Sequence, residues 1–315
     1  MKSFQAAAAF IRQNEVGRRA YVETPYGRRL LCYADLTATG RYLHFVEHWI
    51  RRVRPFYANT HTSVSSTGRI MTELREEARR VIRRSLRAGP DDVVMFVGAG
   101  ATAAVNKLIG LLGLRIPEPL ERTFQLSEHI PAAQRPVVLV GPYEHHSNEL
   151  PWLESVADVC EVGLRPDGTI DLDDLEAKAA QYADRPLRIG AFSAASNVTG
   201  ILTDVRAVSR ALHKHGFYAV FDYAAAGPYV PIDMHPSSGG PTDEERIDAL
   251  FLSTHKFIGG PQASGLLVAS SALFRTRSPE RPGGGTVDFV GGCTLRAVDY
   301  VHLLDEREEG GTPSI

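Results

Sequence analysis

Short runs of β-branched and apolar residues alternate with helical patterns along most of this 315-residue chain. Seven of these runs are predicted as strands: residues 93–97, 137–140, 159–162, 187–192, 218–222, 249–253 and 265–269. Four segments have helical periodicity: residues 70–86, 102–112, 172–182 and 205–215, the third with Asp171 as its predicted cap. This alternation predicts βαβ units, and therefore an α/β fold with a mostly parallel central sheet flanked by helices.

The composition is that of a globular protein, 43% hydrophobic and 23% charged. The formal net charge of −2 gives no whole-chain indication of a nucleic-acid or membrane partner. An apolar run at residues 6–11 ends at Arg12, too early for a signal peptide or a membrane span. The three cysteines, Cys32, Cys160 and Cys293, are too scattered for a disulfide framework or a zinc site. We therefore expect a cytoplasmic protein, although arginines within residues 1–29 leave an organelle presequence open.

The C-terminal part of the helix predicted over residues 70–86, together with the residue after it, carries five arginines: Arg79, Arg80, Arg83, Arg84 and Arg87. A cluster of this kind can mark a nucleic-acid-binding face. Glutamates precede the arginines on the same helix, and Glu76 stands four residues before Arg80 in the order that favours an ion pair. We therefore predict a solvated helix face and no nucleic-acid site.

A glycine-bearing turn joins the first predicted strand to the helix that follows it. Residues 97–103 read Val-Gly-Ala-Gly-Ala-Thr-Ala, which contains the G-x-G-x-x-A form of a dinucleotide-binding fingerprint. The acidic residue that should bind a ribose about 20 residues later is missing, because a proline-containing loop occupies that region. The amides of a helix start, together with the Thr102 hydroxyl, suit a single phosphate monoester equally well. A phosphate site is the favoured interpretation.

A lysine and an aspartate downstream supply the chemistry that pyridoxal phosphate requires. Lys256 lies in Leu-Ser-Thr-His-Lys, and Asp222 ends the strand predicted over residues 218–222. A lysine amine can hold this cofactor as a Schiff base, and a buried carboxylate can keep its pyridine nitrogen protonated. Alone, each residue would be an ordinary surface lysine or a strand-end cap.

Two adjacent histidines follow the second predicted strand, in Tyr-Glu-His-His-Ser-Asn at residues 143–148. A metal site is disfavoured, because neighbouring side chains on a loop or strand diverge and no i,i+4 histidine pair is present. An imidazole stacked on an aromatic cofactor ring is chemically sensible at this position.

Six motifs occur in the order seen in class V aminotransferase-fold enzymes. They are Gly-Ala-Thr at 100–102, Glu-His-His-Ser-Asn with Pro-Trp at 144–152, Ser-Asn-Val-Thr-Gly at 196–200, Val-Phe-Asp at 220–222, Ser-Thr-His-Lys at 253–256 and Glu-Gly-Gly-Thr-Pro at 309–313. The chain resembles this family from about Tyr33 to its last residue, and it is most similar to the cysteine desulfurase and selenocysteine lyase branch. The resemblance implies the large domain of the pyridoxal-phosphate-dependent fold type I.

The resemblance also implies a role for each matching residue. Lys256 looks like the Schiff-base lysine, Asp222 like the partner of the pyridine nitrogen and His145 like the imidazole stacked on the ring. These three are the predicted catalytic residues. The other implied cofactor contacts are Gly100, Ala101 and Thr102 at the phosphate, Asn197 at the ring hydroxyl, Ser253 and His255 at the phosphate, and Thr312. Because Thr312 resembles a threonine that reaches the phosphate of a neighbouring subunit, a homodimer with shared sites is expected.

Two departures from the family pattern affect the expected activity. Ala225 replaces a polar side chain that bonds the ring oxygen in desulfurases. In addition, the chain stops at Ile315, where the family continues into a small domain with the substrate-carboxylate arginine and the sulfur-accepting cysteine. We therefore expect an N-terminal arm over residues 1–34, a large domain over residues 35–315 with an interface loop over 281–315, and no small domain.

The predicted function is that of a pyridoxal 5'-phosphate enzyme acting on a small amino acid through Lys256, either desulfurase-like or aminotransferase-like. Substrate positioning depends on the domain expected to be absent, so a truncated form with little activity is predicted. Two alternatives stay open at this point. One is a non-catalytic fragment or isoform that binds the cofactor, and the other is an NAD-dependent oxidoreductase supported by the glycine turn alone.

Overall fold

A computed structural model describes residues 2–236, 243–291, 298–309 and 311. Its helices are α1 (Lys2–Asn14), α2 (His44–Val53), α3 (Ser66–Ser85), α4 (Gly100–Leu111), α5 (Glu118–Phe124), α6 (His146–Leu153), α7 (Leu172–Gln181), α8 (Val205–Lys214) and α9 (Leu304–Glu309). Its strands are β1 (Tyr21–Thr24), β2 (Gly27–Leu30), β3 (Asp92–Val97), β4 (Val137–Val140), β5 (Asp158–Glu161), β6 (Arg188–Ser193), β7 (Tyr218–Asp222), β8 (Ala249–Leu252), β9 (Gly265–Ser270), β10 (Val287–Val290) and β11 (Val298–Tyr300). The predictions for Cys293 and Thr312 concern residues outside the described ranges.

The central sheet has seven strands in the order β3-β9-β8-β7-β6-β4-β5. Strands β8, β7, β6, β4 and β5 run parallel to one another, whereas β9 is antiparallel to both β8 and β3. Strand β3 consequently runs in the same direction as β8. Because parallel strands end at one edge of a sheet, the segments that follow β3, β4, β6, β7 and β8 meet at that edge, where ligands of open α/β sheets bind.

Helices cover both faces of this sheet. Alternate residues of a strand point to opposite faces, so Val137 and Leu139 of β4 enter one apolar cluster, and Val138 and Val140 enter another. Helices α7 and α8 pack on the first cluster, and helices α4 and α6 pack on the second. The predicted fold class, a mostly parallel central sheet flanked by helices, is confirmed.

The predicted positions of the seven strands agree closely with those in the structure. Strands β4 and β7 match their predicted ranges residue for residue, β3, β8 and β9 differ by one residue at one end, and β5 and β6 differ by one residue at both ends. Asp171 caps α7 as expected, because its Oδ1 accepts hydrogen bonds from the N–H groups of Asp173 at 3.1 Å and Asp174 at 3.3 Å.

The prediction of a solvated arginine face on α3 is wrong at one position. The side chain of Arg79 is only 6% exposed, and its guanidinium lies 2.9 Å from a carboxylate oxygen of Glu309. Glu76 pairs with Arg79 and with Arg75, so the expected Glu76–Arg80 pair gives way to a pair between Arg80 and Glu77 at 2.6 Å. The physical reason is that α9 brings Glu309 onto this part of α3, which removes Arg79 from solvent.

Among the described residues, no helix has the length and apolar character needed to cross a membrane.

Candidate active site

A cavity of about 600 Å³ opens at the sheet edge where β6, β7 and β8 end. Its wall contains eight of the residues predicted to bind the cofactor: Ala101, Thr102, His145, Asn197, Asp222, Ser253, His255 and Lys256. Five different segments of the chain supply these side chains, and the parallel order of the strands is what brings them together. Gly100 is adjacent to this set as the first residue of α4, and Thr312 lies outside the described residues.

The amino end of α4 forms one end of the cavity. The residue before the helix, Ala99, has no side chain able to cap it, and the Ala101 N–H donates a hydrogen bond to the Ser253 hydroxyl at 2.9 Å. Gly100 has a φ of +58°, and a Cβ atom there would lie 2.9 Å from Ser253 Oγ. Only glycine therefore fits this approach, which leaves helix N–H groups and the positive end of the helix dipole at a site suited to an anion.

Hydroxyl groups extend this end of the cavity toward α6. Thr102 Oγ1 donates to Ser147 Oγ at 2.8 Å, and the Ser147 N–H donates to His145 Nδ1 at 3.1 Å. Since Nδ1 accepts a hydrogen bond, the neutral imidazole of His145 carries its proton on Nε2. Sequence analysis gave Ser147 no role, although it lies within the histidine motif.

His145 is the N-terminal cap of α6, not part of a simple loop or strand as expected. Two histidines at a helix start were difficult to place because α6 is short and contains Pro151. The cap geometry holds the backbone of His145 in an extended conformation beside the helix start, with its ring in the cavity wall.

Asp222 ends β7 and is 5% exposed. Its Oδ1 accepts a hydrogen bond from the Ala224 N–H at 2.8 Å. Burial raises the pKa of Asp222, while that hydrogen bond and the electrostatic interactions with Lys256 and His145 oppose the increase. A carboxyl group in this environment is stabilised as a carboxylate by a cationic N–H donor in the cavity.

Lys256 lies in the short helical turn Thr254–Lys256 that follows β8. Three other lysines are held in ion pairs: Lys107 with Glu308 at 2.8 Å, Lys178 with Asp174 at 2.7 Å and Lys214 with Glu176 at 2.6 Å. Lys256 makes no ion pair within the described ranges, and its side chain lines the cavity. The next residue back, His255, has its pKa lowered by burial and by the charge of Lys256. An uncommitted amine is thus available inside the site.

A segment near the N-terminus completes the cavity wall with Asp35, Thr37 and Ala38. It is attached to the lysine turn, because the Gly40 N–H donates to the His255 carbonyl at 2.8 Å. A Cβ atom at Gly40 would lie 2.1 Å from the Phe257 carbonyl oxygen, so this close approach requires glycine. Sequence analysis missed these residues, and no local pattern marks a contact with a turn more than 200 residues away.

The fold and the site combine a helix start suited to an anion with a lysine that makes no described ion pair and a buried aspartate, all at one cavity. The sequence profile of the family described as aminotransferase class-V matches residues 32–315. The chain belongs to the class V aminotransferase family.

Curated relatives of the chain are described as probable cysteine desulfurases. The protein from Halalkalibacterium halodurans is 27% identical over 292 residues, covering 90% of this chain and 63% of that protein. The protein from Staphylococcus epidermidis is 28% identical over 305 residues, covering 93% of this chain and 64% of that protein. The chain thus spans somewhat less than two thirds of the length of these relatives. The predicted resemblance to the cysteine desulfurase branch is confirmed.

Solved structures show the same fold. A cysteine desulfurase from Thermococcus onnurineus has a TM-score of 0.68 and 23% identity, covering 89% of this chain and 62% of that one. The Escherichia coli cysteine desulfurase CsdA has a TM-score of 0.66 and 24% identity, covering 89% of this chain and 63% of that one. The predictions of an absent small domain and of low activity stay predictions.

Members of the family use pyridoxal 5'-phosphate, as predicted from the motifs. The residues present fit this group at three points. The start of α4, which a side chain at Gly100 would obstruct, suits the phosphate. Lys256 offers an amine for the aldehyde, and the buried Asp222 offers a carboxylate for the ring nitrogen.

Proposed function

We propose that this chain forms the cofactor-binding part of a pyridoxal-phosphate enzyme that acts on a small amino acid, with cysteine as the favoured substrate. The observation that carries the proposal is the single cavity in which Lys256, Asp222, His145 and the start of α4 all take part. The names of the curated relatives support cysteine desulfuration, and the family itself supports transamination as the alternative reaction.

Pyridoxal phosphate, when bound, supplies an aldehyde that condenses with amines and a cationic ring that withdraws electrons from the bound amino acid. The start of α4, Thr102, Ser253 and His255 would hold its phosphate. Asn197 would contact the ring hydroxyl. The protein's part in the reaction is to fix these groups in orientation before the substrate enters.

Lys256 has two tasks in this proposal. Its Nζ atom would hold the cofactor in the absence of substrate, and with substrate bound the free amine would take the proton from the substrate α-carbon and later return it. The absence of an ion-paired carboxylate at Nζ, within the described residues, keeps the lone pair of the deprotonated amine accessible for both tasks.

Asp222 and His145 assist at other positions. The Asp222 carboxylate would accept a hydrogen bond from the ring nitrogen, and the resulting pair would offset the cost of its burial. His145 contributes an imidazole whose Nε2–H points away from its Ser147 contact and can donate a hydrogen bond in the cavity.

Cysteine desulfuration also needs a thiol that accepts sulfur, and neither described cysteine supplies it in this cavity. Cys32 is exposed just after β2, and Cys160 lies on the edge strand β5. We propose that an external thiol, or a residue outside the described ranges, receives the sulfur.

We also propose, from the family resemblance, a homodimer in which Thr312 reaches the neighbouring site, and a boundary between arm and large domain at residues 34 and 35. The scattered cysteines of the chain support a cytoplasmic location.

The test compares Lys256→Ala with Lys214→Ala, a matched change at an exposed, ion-paired lysine. Wild type and Lys214→Ala should develop a visible absorption band with pyridoxal phosphate, and Lys256→Ala should lack it while keeping its circular dichroism spectrum. A band of wild-type intensity in Lys256→Ala would overturn the assignment.

The substrate class is tested with wild-type protein supplied with pyridoxal phosphate and an external thiol. Sulfide and alanine released from cysteine would support desulfuration. Keto-acid formation from a panel of amino acids, without sulfide, would favour transamination.

A further inference from the structure

A second carboxyl group, that of Glu144, lies close enough to Asp222 for the two charges to interact. Its Oε1 accepts a hydrogen bond from the Ser193 N–H at 2.7 Å. Its Oε2 accepts from the Ser193 hydroxyl and from Asn148 Nδ2, both at 2.7 Å. Glu144 therefore ties the end of β6 to helix α6 through three hydrogen bonds.

These bonds connect to both predicted ring-binding residues. Glu144 immediately precedes His145, the cap of α6, and Asn148 is held in turn by Trp152, whose indole N–H donates to it at 3.3 Å. On the other side, Ser193 is the register partner of Asp222 in the parallel pair β6–β7. Because Trp152 and Asn148 are buried, this connection is rigid.

We propose that Glu144 is a positioning residue, which fixes His145 and Asp222 relative to each other through its hydrogen bonds to Ser193 and Asn148. This inference rests on the proposed function, because Glu144 would position the two residues predicted to bind the cofactor ring. The sequence motif alone gives Glu144 no such role.

The charges around Glu144 support this role. Burial raises the pKa of Glu144 to about 7 and the nearby Asp222 carboxylate adds to the increase, although the bonds from Ser193 and Asn148 oppose it. The other titratable groups close by are His145, Lys256 beyond Asp222, and Tyr143, whose pKa is raised by burial and by Glu144. A half-buried carboxyl group and a buried one thus lie close together, and Glu144 takes up a proton near neutral pH.

The direction of the pH effect on stability follows from the raised pKa. A carboxyl group that binds its proton more tightly in the folded state stabilises that state fully below pH 4.5, its ordinary pKa, and this stabilisation is lost as the pH rises through about 7. The melting temperature of the cofactor-free protein should therefore fall across this window because of Glu144.

The experiment uses Glu144→Gln, with Glu149→Gln, a nearby glutamate on α6, as the matched control. In cofactor-free protein, the fall of the melting temperature between pH 4.5 and 7 should be clearly smaller in Glu144→Gln and unchanged in Glu149→Gln. In the cofactor-bound protein, the pH midpoint of the visible band should move down by about one unit in Glu144→Gln, because a neighbouring negative charge is lost. Wild-type behaviour of Glu144→Gln in both measurements would overturn the proposal.

A second variant keeps the test decisive if Glu144→Gln does not fold. Ser193→Ala removes one hydrogen bond to the carboxylate and leaves the charge, so the loss of stability should move to higher pH. An unchanged profile in Ser193→Ala would contradict the role of Glu144. Absence of any visible band in wild type would instead refute the proposed cofactor site, and the melting profiles would still support or overturn the titration of Glu144.

Discussion

Replacing Glu309 by alanine should lower the free energy of unfolding by about 3–5 kcal/mol, the range found when one partner of a buried ion pair is removed. The Glu309 side chain is 1% exposed, and its two oxygens lie 3.0 and 2.9 Å from the guanidinium nitrogens of Arg79. It also accepts a hydrogen bond from the Phe96 N–H at 2.7 Å, at the end of β3. Truncation would leave a buried guanidinium cation and a buried N–H group without this partner, and a loss of this size corresponds to a melting temperature lower by roughly 10 °C.

The matched control is Glu77→Ala, which removes a glutamate from an exposed pair with Arg80 on the same helix as Arg79. Exposed pairs contribute little, so this change should stay within about 0.5 kcal/mol of wild type. Urea denaturation followed by circular dichroism measures both variants. A Glu309→Ala protein as stable as Glu77→Ala would refute the conclusion that α9 is held by a buried ion pair.

Two smaller changes test local geometry. Gly100→Ala should weaken binding of pyridoxal phosphate about tenfold or more in an absorbance titration. A Cβ atom makes the left-handed backbone at this position unfavourable by about 1–2 kcal/mol, and it would crowd Ser253. An unchanged Kd would contradict the phosphate site at α4. Asp171→Ala should cost about 1 kcal/mol of unfolding free energy, because it removes the cap of α7, and a cost near zero would show that the cap does not stabilise the helix.

The sequence predicted the central sheet well because its strands are buried on both faces. A strand such as β4, with four consecutive apolar residues, has a signal that no neighbouring element can override. The same reasoning found β7 and placed Asp222 at its end. Since parallel strands end together, the correct strand positions were sufficient to bring Asp222 and Lys256 into one site.

Features that depend on distant contacts were not predictable from local pattern. Arg79 looked solvated, because the carboxylate that buries it comes from Glu309, 230 positions later in the chain. Helix α2 was not predicted, because none of its residues is buried. The segment around Gly40 was not predicted either, because it contacts the lysine turn through backbone atoms, which leave no pattern of side chains. The acid–base role proposed for Glu144 required knowledge of its burial, which the motif does not contain.

The central claim, that Lys256 holds the cofactor, is tested most directly by reducing the pyridoxal-phosphate-treated protein with borohydride and mapping the modified peptide by mass spectrometry. The chain has only five lysines, so the position of the label is unambiguous. The account predicts one added phosphopyridoxyl group, on the peptide that contains Lys256. Labelling of Lys107, Lys178 or Lys214 with Lys256 unmodified, or no label at all, would contradict it.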